Sequence, residues 1–439
     1  MEYIKNRFYQ KASRCTQEYQ RLKRDHSDKV IAQVTLGQVL TGMKGVPSLV
    51  TDTSKLDPEE GIRFRGFSIP ELREQLPKLS PGSEPLPEGL FYLMLIGELP
   101  EMDDVINISK DLATRAHVPQ HTFDVIDAMP KNAKPMTQFS AAITSMATDS
   151  VFQKAYRAGV NKKYYWDTTY EDVMNLVARL PRVAAYIYRR EFYNDKHIEP
   201  DPRLDWAANL AHMMGHDNEE VKNLLRLYMV IHADHEGGNV SAHAAHLVGS
   251  ALSNPYYAYS AAMLGLAGPL HGYANQDVIN WIFEMQQSLD TETPNKEQIA
   301  GYCKETLASG RVIPGYGHAV LRKTDPRFTA QKEFADKNIV NDSLVNIVND
   351  LYEVVPDILR ELGKVKNPWP NVDAYSGSLL YHYGIKEHTF YTVLFGVSRA
   401  LGVLASLVVD RLYGMPIERP SSHPMKYYHD LIDGGSEGC

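Results

Sequence analysis

Residues 342–363 read DSLVNIVNDLYEVVPDILRELG. Leu344, Ile347, Val348, Leu351, Val355, Ile358, Leu359 and Leu362 recur at spacings of three and four, the period of one face of a helix. Asp342 or Ser343 can cap its start and Gly363 can end it. Pro356 lies inside the pattern and predicts a kink or a break. The same period returns in 172–191, 219–231 and 391–413, while alternating strand-like runs are short and few. The fold class is therefore all-α or nearly so.

Working outward, Pro and Gly mark the loops: Ser80–Pro87, Pro314–Gly317 and Lys364–Pro370. There is no internal repeat and no low-complexity segment. No linker marks a domain boundary, so two domains sharing a wide contact fit better than beads on a string. Leu247 to Leu270 carries no charge and is long enough to span a bilayer. Its Asn254-Pro255 break and its Ser, Gly and Tyr content favour a buried helical hairpin. Thr389 to Val409 is broken only by Arg399. Both are read as core or interface helices, with no membrane insertion.

The 439 residues suit two or three domains with a large core. With 46 basic and 54 acidic residues the net charge is −8, which argues against a nucleic-acid partner. An anionic substrate then requires a local basic pocket. Cys15, Cys303 and Cys439 are odd in number and far apart, so neither a disulfide framework nor a zinc site is expected. Lys5, Arg7, Lys11, Arg14, Arg21, Lys23 and Arg24 outnumber Glu2 and Glu18 near the start. This run reads first as an amphipathic helix and second as the remnant of a basic transit region.

Five features carry chemistry. His232, His235, His243 and His246 crowd one segment beside Asp234 and Glu236. A metal is weighed there, but the paired-His zincin pattern is missing and Gly237-Gly238 interrupts any helix, so no metal is expected. His271, in Gly-Pro-Leu-His-Gly, stands where a helical pattern opens. A helix N-terminus disfavours imidazolium, and a neutral His can donate to a carbonyl oxygen and stabilise an enol; a simple cap is the bland alternative. His318 follows the Pro314–Gly317 turn, whose backbone N–H groups can approach a ligand, and Arg322, Lys323 and Arg327 add charge suited to a polyanion. It is not a P-loop, and a solvated basic turn is the alternative. Asp373 sits among apolar and aromatic residues downstream of Lys364 and Lys366. Burial there would raise its pKa toward that of a useful base, although such an Asp is more often a helix cap. Arg399, alone in an uncharged run, needs an anion, and Arg419 lies near the C-terminus, where a partner subunit could use it. Internal carboxylates are the alternative partners for both.

The segments GIRFRG (61–66), EPLPEGLF (84–91), HADHEGGNVSAH (232–243), LAGPLHGYANQ (266–276), GRVIPGYGHAVLRKTDPR (310–327), KNPWPNVDAYSG (366–377) and FYTVLFGVSRALGV (390–403) together resemble the citrate synthase family of the eukaryotic mitochondrial type, over nearly the whole chain. The resemblance implies an all-α fold with a large domain (1–272 and 379–439) and a smaller mobile one (273–378). It implies an acyltransferase of the mitochondrial matrix that condenses acetyl-CoA with oxaloacetate and water, the first step of the tricarboxylic acid cycle. Asp373 would remove the methyl proton, His271 would bond the thioester oxygen, and His318 would polarise the ketone. His235, Arg327, Arg399 and Arg419 would hold carboxylates, with Arg419 donated across a homodimer. Lys44, Val312, Pro314, Gly315, Gly317, Arg322, Lys364, Lys366 and Asn371 would hold CoA. No metal or redox cofactor is implied.

Three positions depart from the family pattern. Tyr375 stands in place of a His, Lys44 in place of an Arg facing CoA phosphate, and Lys162 or Lys163 in place of another Arg. They bear on CoA affinity. A 2-methylcitrate synthase using propionyl-CoA is the near alternative; a structural or filament-forming protein on the same fold is the distant one.

Overall fold

The computed structural model describes residues 2–363 and 365–432. Helices dominate, and the strands are one small antiparallel sheet in the order β1 (Ser54–Asp57), β2 (Gly61–Phe64) and β3 (Phe67–Ser68). Ser54 pairs with Phe64 and Asp57 with Gly61, while Phe64 pairs with Phe67.

The helix Ser343–Leu362 forms as its spacing predicts. Asp342 caps it by accepting the Val345 N–H at 3.0 Å, and Gly363 ends it with φ +67°. It runs on past Pro356 without a break. The basic start folds as Glu2–His26, burying Ile4 and Phe8 while Lys5 reaches Glu171 at 2.8 Å.

The centre of the molecule is the helix Tyr391–Tyr413, apolar enough to cross a membrane by composition but buried within the protein. The long helix Tyr165–Phe192 packs along it, and Pro87–Ile96 and Pro255–Leu266 pack on its other sides. The uncharged stretch 247–270 makes the expected hairpin of Val240–Ser250 and Pro255–Leu266, but only one face is buried: Leu247, Tyr257 and Leu264 are exposed. Five later helices, Ala274–Ser288, Lys296–Ala308, Pro326–Asn338, Ser343–Leu362 and Asp373–His382, pack chiefly on one another.

Close approach sets the register of the central helix. At Gly402 a Cβ would fall 2.3 Å from Asp234 Cβ and 2.6 Å from the Ala233 oxygen, and the Gly402 N–H donates to that oxygen at 3.1 Å. The loop after His232 therefore lies directly on the helix, within a turn of Arg399. The sheet clamps the same loop from the other side. Thr53 Oγ1 and Ser54 Oγ donate to Asp234 Oδ2 at 2.7 and 2.8 Å, and the Glu236 N–H donates to Ser54 Oγ at 2.9 Å. These bonds hold Glu236 at φ +61°, a conformation uncommon outside glycine.

Gly402→Ala should push the loop off the helix. The expected cost is about 1–3 kcal/mol of stability, as for other overpacked interiors, with a loss of activity larger than the stability change explains. Chemical denaturation beside steady-state rates will check this; an unchanged midpoint and rate would refute the close-approach argument.

Candidate active site

Arg399 is 2% exposed. Its Nε donates to the His232 oxygen at 3.0 Å, and its guanidinium lies 4.7 Å from the centre of the Phe395 ring. Nη1 is buried without a partner, and among the described residues no carboxylate lies within ion-pair distance. Burial, only partly offset by Asp234, pulls its pKa down to about 10, so it stays charged at neutral pH. An unpaired buried cation costs several kcal/mol; an anionic ligand at Nη1 would remove much of that penalty.

Arg327 is the second buried guanidinium. Contrary to the sequence reading, it is not a free charge of the basic turn: Asp325 grips it, with Nη2 2.6 Å from Oδ2 and Nε at 3.0 and 3.1 Å from the two oxygens. Lys323 pairs with Glu59 at 3.2 Å, and Arg322 Nη1 bonds the Val320 and Leu321 oxygens of its own loop at 2.7 and 2.8 Å. Only Arg327 is turned inward, where its charge lowers the pKa of His232, His235, His318 and Asp373 alike.

Three histidines face the two guanidinium groups. The His235 ring centre lies 5.7 Å from that of His318, edge to face, and its Nε2 is buried without a partner. Burial and then Arg327 hold His235 well below its ordinary value. His318 Nδ1 accepts the Val320 and Leu321 N–H groups, both at 3.0 Å. A nitrogen that accepts two backbone N–H bonds carries no proton, so the neutral ring keeps its proton on Nε2 as a free donor. His271 is the converse. Its Nε2 accepts the Ser241 N–H at 3.3 Å and lies 2.9 Å from Ser241 Oγ, so its proton sits on Nδ1. Burial first, then Arg399 for His271 and Arg327 for His318, pushes each to about 4.

The sequence reading placed His271 at the start of its own following helix. That helix begins at Ala274, and the ring instead meets the N-terminus of Val240–Ser250, a helix earlier in the chain. His271 is neutral mainly because it is buried, a cause that depends on tertiary packing.

Asp373 is the first residue of Asp373–His382, half-buried, and burial outweighs Arg327 to raise its carboxyl to about 6. It is thus more than a cap. Asn371 couples it to the glycine turn: Oδ1 accepts the Asp373 N–H at 3.0 Å, Nδ2 donates to the Gly317 oxygen at 3.2 Å, and the Asn371 N–H donates to the Gly315 oxygen at 2.9 Å. Gly315 has φ +78°, and a Cβ there would lie 2.8 Å from Ala374 Cα. The turn thus rides on the helix that presents Asp373: Gly315 is buried against it, Pro314, Gly317 and Asn371 are part-exposed, and Val312 is exposed.

The other expected CoA contacts lie at its margins or apart from it. Lys366 is exposed. Lys364 lies outside the described residues. Lys44 is exposed on the segment before β1, its carbonyl bonded to Gln38. Arg419 is exposed, and among the described residues no hydrogen bond or ion pair ties it to the rest of the chain. Tyr375 is fully buried and bonds Asn349 Oδ1 at 3.1 Å, so this departure belongs to the helix core and not to a CoA surface. Lys162 and Lys163 are exposed, Lys162 close to Gly414.

The four clustered histidines have different partners. His232 stacks on Tyr228, His235 faces His318, His243 meets Glu418 and His246 meets Asp410. Among the described residues no three His, Cys, Asp or Glu side chains converge as a metal site. Sequence reasoning missed Ser241, Asp325, Phe395 and Asn239, whose Nδ2 donates to the His235 oxygen at 2.9 Å and whose Oδ1 accepts from Ser241 Oγ at 2.8 Å; these roles arise from pairings that single motifs do not display, and Asp325 alone had a local signal, in Asp-Pro-Arg. A cavity of about 720 Å³ lined by Ile69, Arg73, Pro326 and Trp369 lies elsewhere, and none of the residues named for catalysis lines it.

Two inward guanidinium groups, two neutral imidazole donors of opposite tautomer and one carboxyl near pKa 6 define an enzyme site for a small polyanion. The family model for the citrate synthase C-terminal domain matches residues 42–421. The chain is 54% identical over 407 residues to mitochondrial citrate synthase 4 of Arabidopsis thaliana, covering 93% of this chain and 86% of that one. It is 52% identical over 431 residues to the mitochondrial 2-methylcitrate synthase of Yarrowia lipolytica, covering 98% and 92%. The crystal structure of citrate synthase from Pyrobaculum aerophilum superposes with a TM-score of 0.74 at 26% identity, covering 87% of this chain and 91% of that one. The chain belongs to the citrate synthase family.

A base with pKa about 6 must be ionised to work. The kcat/KM for the thioester should therefore fall tenfold per pH unit below about 6 and level off above it. His271 and His318 stay neutral down to about 4 and add no limb in between. Asp373→Ala should lower turnover by ~10²–10⁴ while the protein stays folded. Initial rates between about pH 5 and 8 will test both, and an unchanged limb in the variant would remove Asp373 from the role.

Proposed function

We infer that this site joins acetyl-CoA to oxaloacetate and hydrolyses the product thioester to citrate and CoA. The chain is accordingly an acyltransferase of the citrate (Si)-synthase type, and its near relatives are mitochondrial enzymes. The observation that carries the reading is the buried Arg399 whose Nη1 has no partner. Planar, fixed donors suit a carboxylate better than a lysine would.

The chemistry follows from the tautomers. A thioester methyl is a poor acid, so base and enol stabiliser must act together. Asp373 takes a methyl proton while His271 Nδ1–H donates to the thioester oxygen. His318 Nε2–H polarises the ketone of oxaloacetate, whose carboxylates are held by His235, Arg327 and Arg399. The enol carbon bonds the ketone carbon and the alkoxide takes up a proton. Water then cleaves the thioester, forming the third carboxyl group and releasing the CoA thiol. Each step uses this chain's own side chains, so we propose no cofactor beyond the CoA substrate. Val312, Pro314, Gly315, Gly317, Asn371, Arg322, Lys366 and Lys44 would hold CoA at the rim.

A homodimer is part of the same proposal. The hairpin turns apolar residues outward, with Val240 60% and Leu264 64% exposed, and Leu270 after it is wholly exposed. The helix Met425–Ile432 buries nothing in its own chain. A second copy would cover these surfaces and receive Arg419. The two-domain division is likewise proposed, and it is supported by the mutual packing of the five later helices. Its second boundary, 378/379, falls inside Asp373–His382, so that helix would span the junction.

The Yarrowia relative supports one second reading, the same reaction on propionyl-CoA. Rates with acetyl-CoA and propionyl-CoA, each with oxaloacetate, should favour acetyl-CoA; the reverse order would make the chain a 2-methylcitrate synthase. Mixing Arg419→Ala with His271→Ala subunits should restore activity, up to one intact site per heterodimer. Proven subunit exchange with no recovery would return Arg419 to its own chain.

A further inference from the structure

The segment after the central helix carries Arg419, and its anchoring is built from residues with no part in the chemistry. Gly414 ends the helix in the left-handed region, φ +66°, and the Met415 N–H returns to the Asp410 oxygen at 3.1 Å. The chain then crosses to Val240–Ser250. Glu418 meets that helix twice: its N–H donates to Ser250 Oγ at 3.0 Å, and its Oε2 lies 3.0 Å from His243 Nε2. Ser250 Oγ in turn donates to the Leu247 oxygen at 2.7 Å, which orients its lone pairs toward the segment.

The helix that receives Glu418 is itself tied to the central helix. His246 Nδ1 lies 2.6 Å from Asp410 Oδ2, and its Nε2 lies 3.3 Å from Ser406 Oγ. Burial favours the neutral ring of His246, but Asp410 outweighs it and raises the pKa above the ordinary value. His243 and His246 are therefore consecutive rungs of one scaffold, joining the central helix, the hairpin helix and the terminal segment. That helix also carries exposed Val240 and Leu247, the apolar face offered to a second copy. One residue past the anchor, Arg419 is exposed and has no partner within its chain among the described residues.

We propose that His243 and Glu418 are a positioning pair that fixes the direction in which Arg419 leaves its own chain, and so sets oxaloacetate affinity in the neighbouring subunit's site. This rests on the reading of Arg419 as a residue donated to a second copy. The pair touches no substrate. It acts by limiting the freedom of a long side chain whose ordering would otherwise be a cost of binding. A carboxylate next to Arg419 in sequence would also be drawn to that guanidinium if it were free; His243 keeps Glu418 occupied and leaves Arg419 for the ligand.

The test separates position from structure. Glu418→Ala and His243→Ala should each raise the KM for oxaloacetate about tenfold, with kcat and the KM for acetyl-CoA within about twofold of wild type and sedimentation unchanged. The double variant should be no worse than either single one, because both remove one interaction. His243→Gln, which keeps a donor, should restore the wild-type KM. Arg419→Ala, run in parallel, tells the two readings apart. If Arg419→Ala raises the KM for oxaloacetate and Glu418→Ala does not, the positioning pair is refuted and the donated arginine stands. If Arg419→Ala itself has no effect, the donated arginine fails and the pair fails with it.

A heterodimer gives a readout that stability cannot mimic. In a Glu418→Ala chain paired with a His271→Ala chain, the one working site takes Arg419 from the chain whose Glu418 is intact. It should show the wild-type KM for oxaloacetate, while the Glu418→Ala homodimer shows the raised one. A raised KM in the heterodimer would overturn the proposal. The same pairing made with His243→Ala decides the question should Glu418→Ala fail to assemble.

Discussion

A buried positive charge without a counterion is the constraint on which this structure turns. Arg399 lies on a helix whose other charged residues, Asp410 and Arg411, are confined to its last turn, and its Nη1 faces no acceptor. Water cannot solvate it, and the single backbone oxygen at Nε does not neutralise it. Its neighbours respond to the same field. His271 and His318 are driven to the neutral form by burial and by the guanidinium groups beside them. A neutral imidazole is the better arrangement for donating a proton partway to an oxygen that gains negative charge, because it adds no further repulsion to a site already rich in cations.

Two backbone devices then decide which nitrogen of each ring does the donating. Paired N–H groups of the loop after His318 occupy its Nδ1, and the first turn of Val240–Ser250 occupies Nε2 of His271. The rings therefore present opposite nitrogens to the ligand space. Neither choice is a property of histidine; each follows from where the chain ends a helix or tightens a turn. Asn371 does comparable work for Asp373, since one side chain links the carboxylate's helix to the glycine turn that leads to His318. Asp373 and His318 are thus held by one bonded unit, which suits the base and electrophile roles proposed for them in forming a carbon–carbon bond between two bound substrates.

The outer parts are governed by a different balance. The hairpin face, the segment 28–50 and the terminal helix expose large apolar residues that a lone chain would leave in water. Arg419 projects from the same region. Surface that is costly in one copy is what the proposed homodimer would cover, with Arg419 lent to the second copy.

Periodicity determined the helical class and the bounds of Ser343–Leu362, because spacing of three and four, a capping Asp and a terminal Gly act over a few residues of chain, and the Asn254-Pro255 break in an uncharged run marked the hairpin, though not its start at Val240. The resemblance picked out His235, His271, His318, Arg327, Asp373 and Arg399, and the structure gathers them around shared charges. What only the tertiary structure decided was their state. Sequence could not say that Asp325 neutralises Arg327, that Ser241 fixes the tautomer of His271, or that burial more than a helix dipole makes that ring neutral. Nor could it show that Tyr375 points into a helix core. A pKa or a tautomer is set by solvent exclusion and by the nearest charge or donor; whether that neighbour is 2 residues away, as Asp325 is from Arg327, or 30, as Ser241 is from His271, the burial that gives it weight comes only when the helices pack.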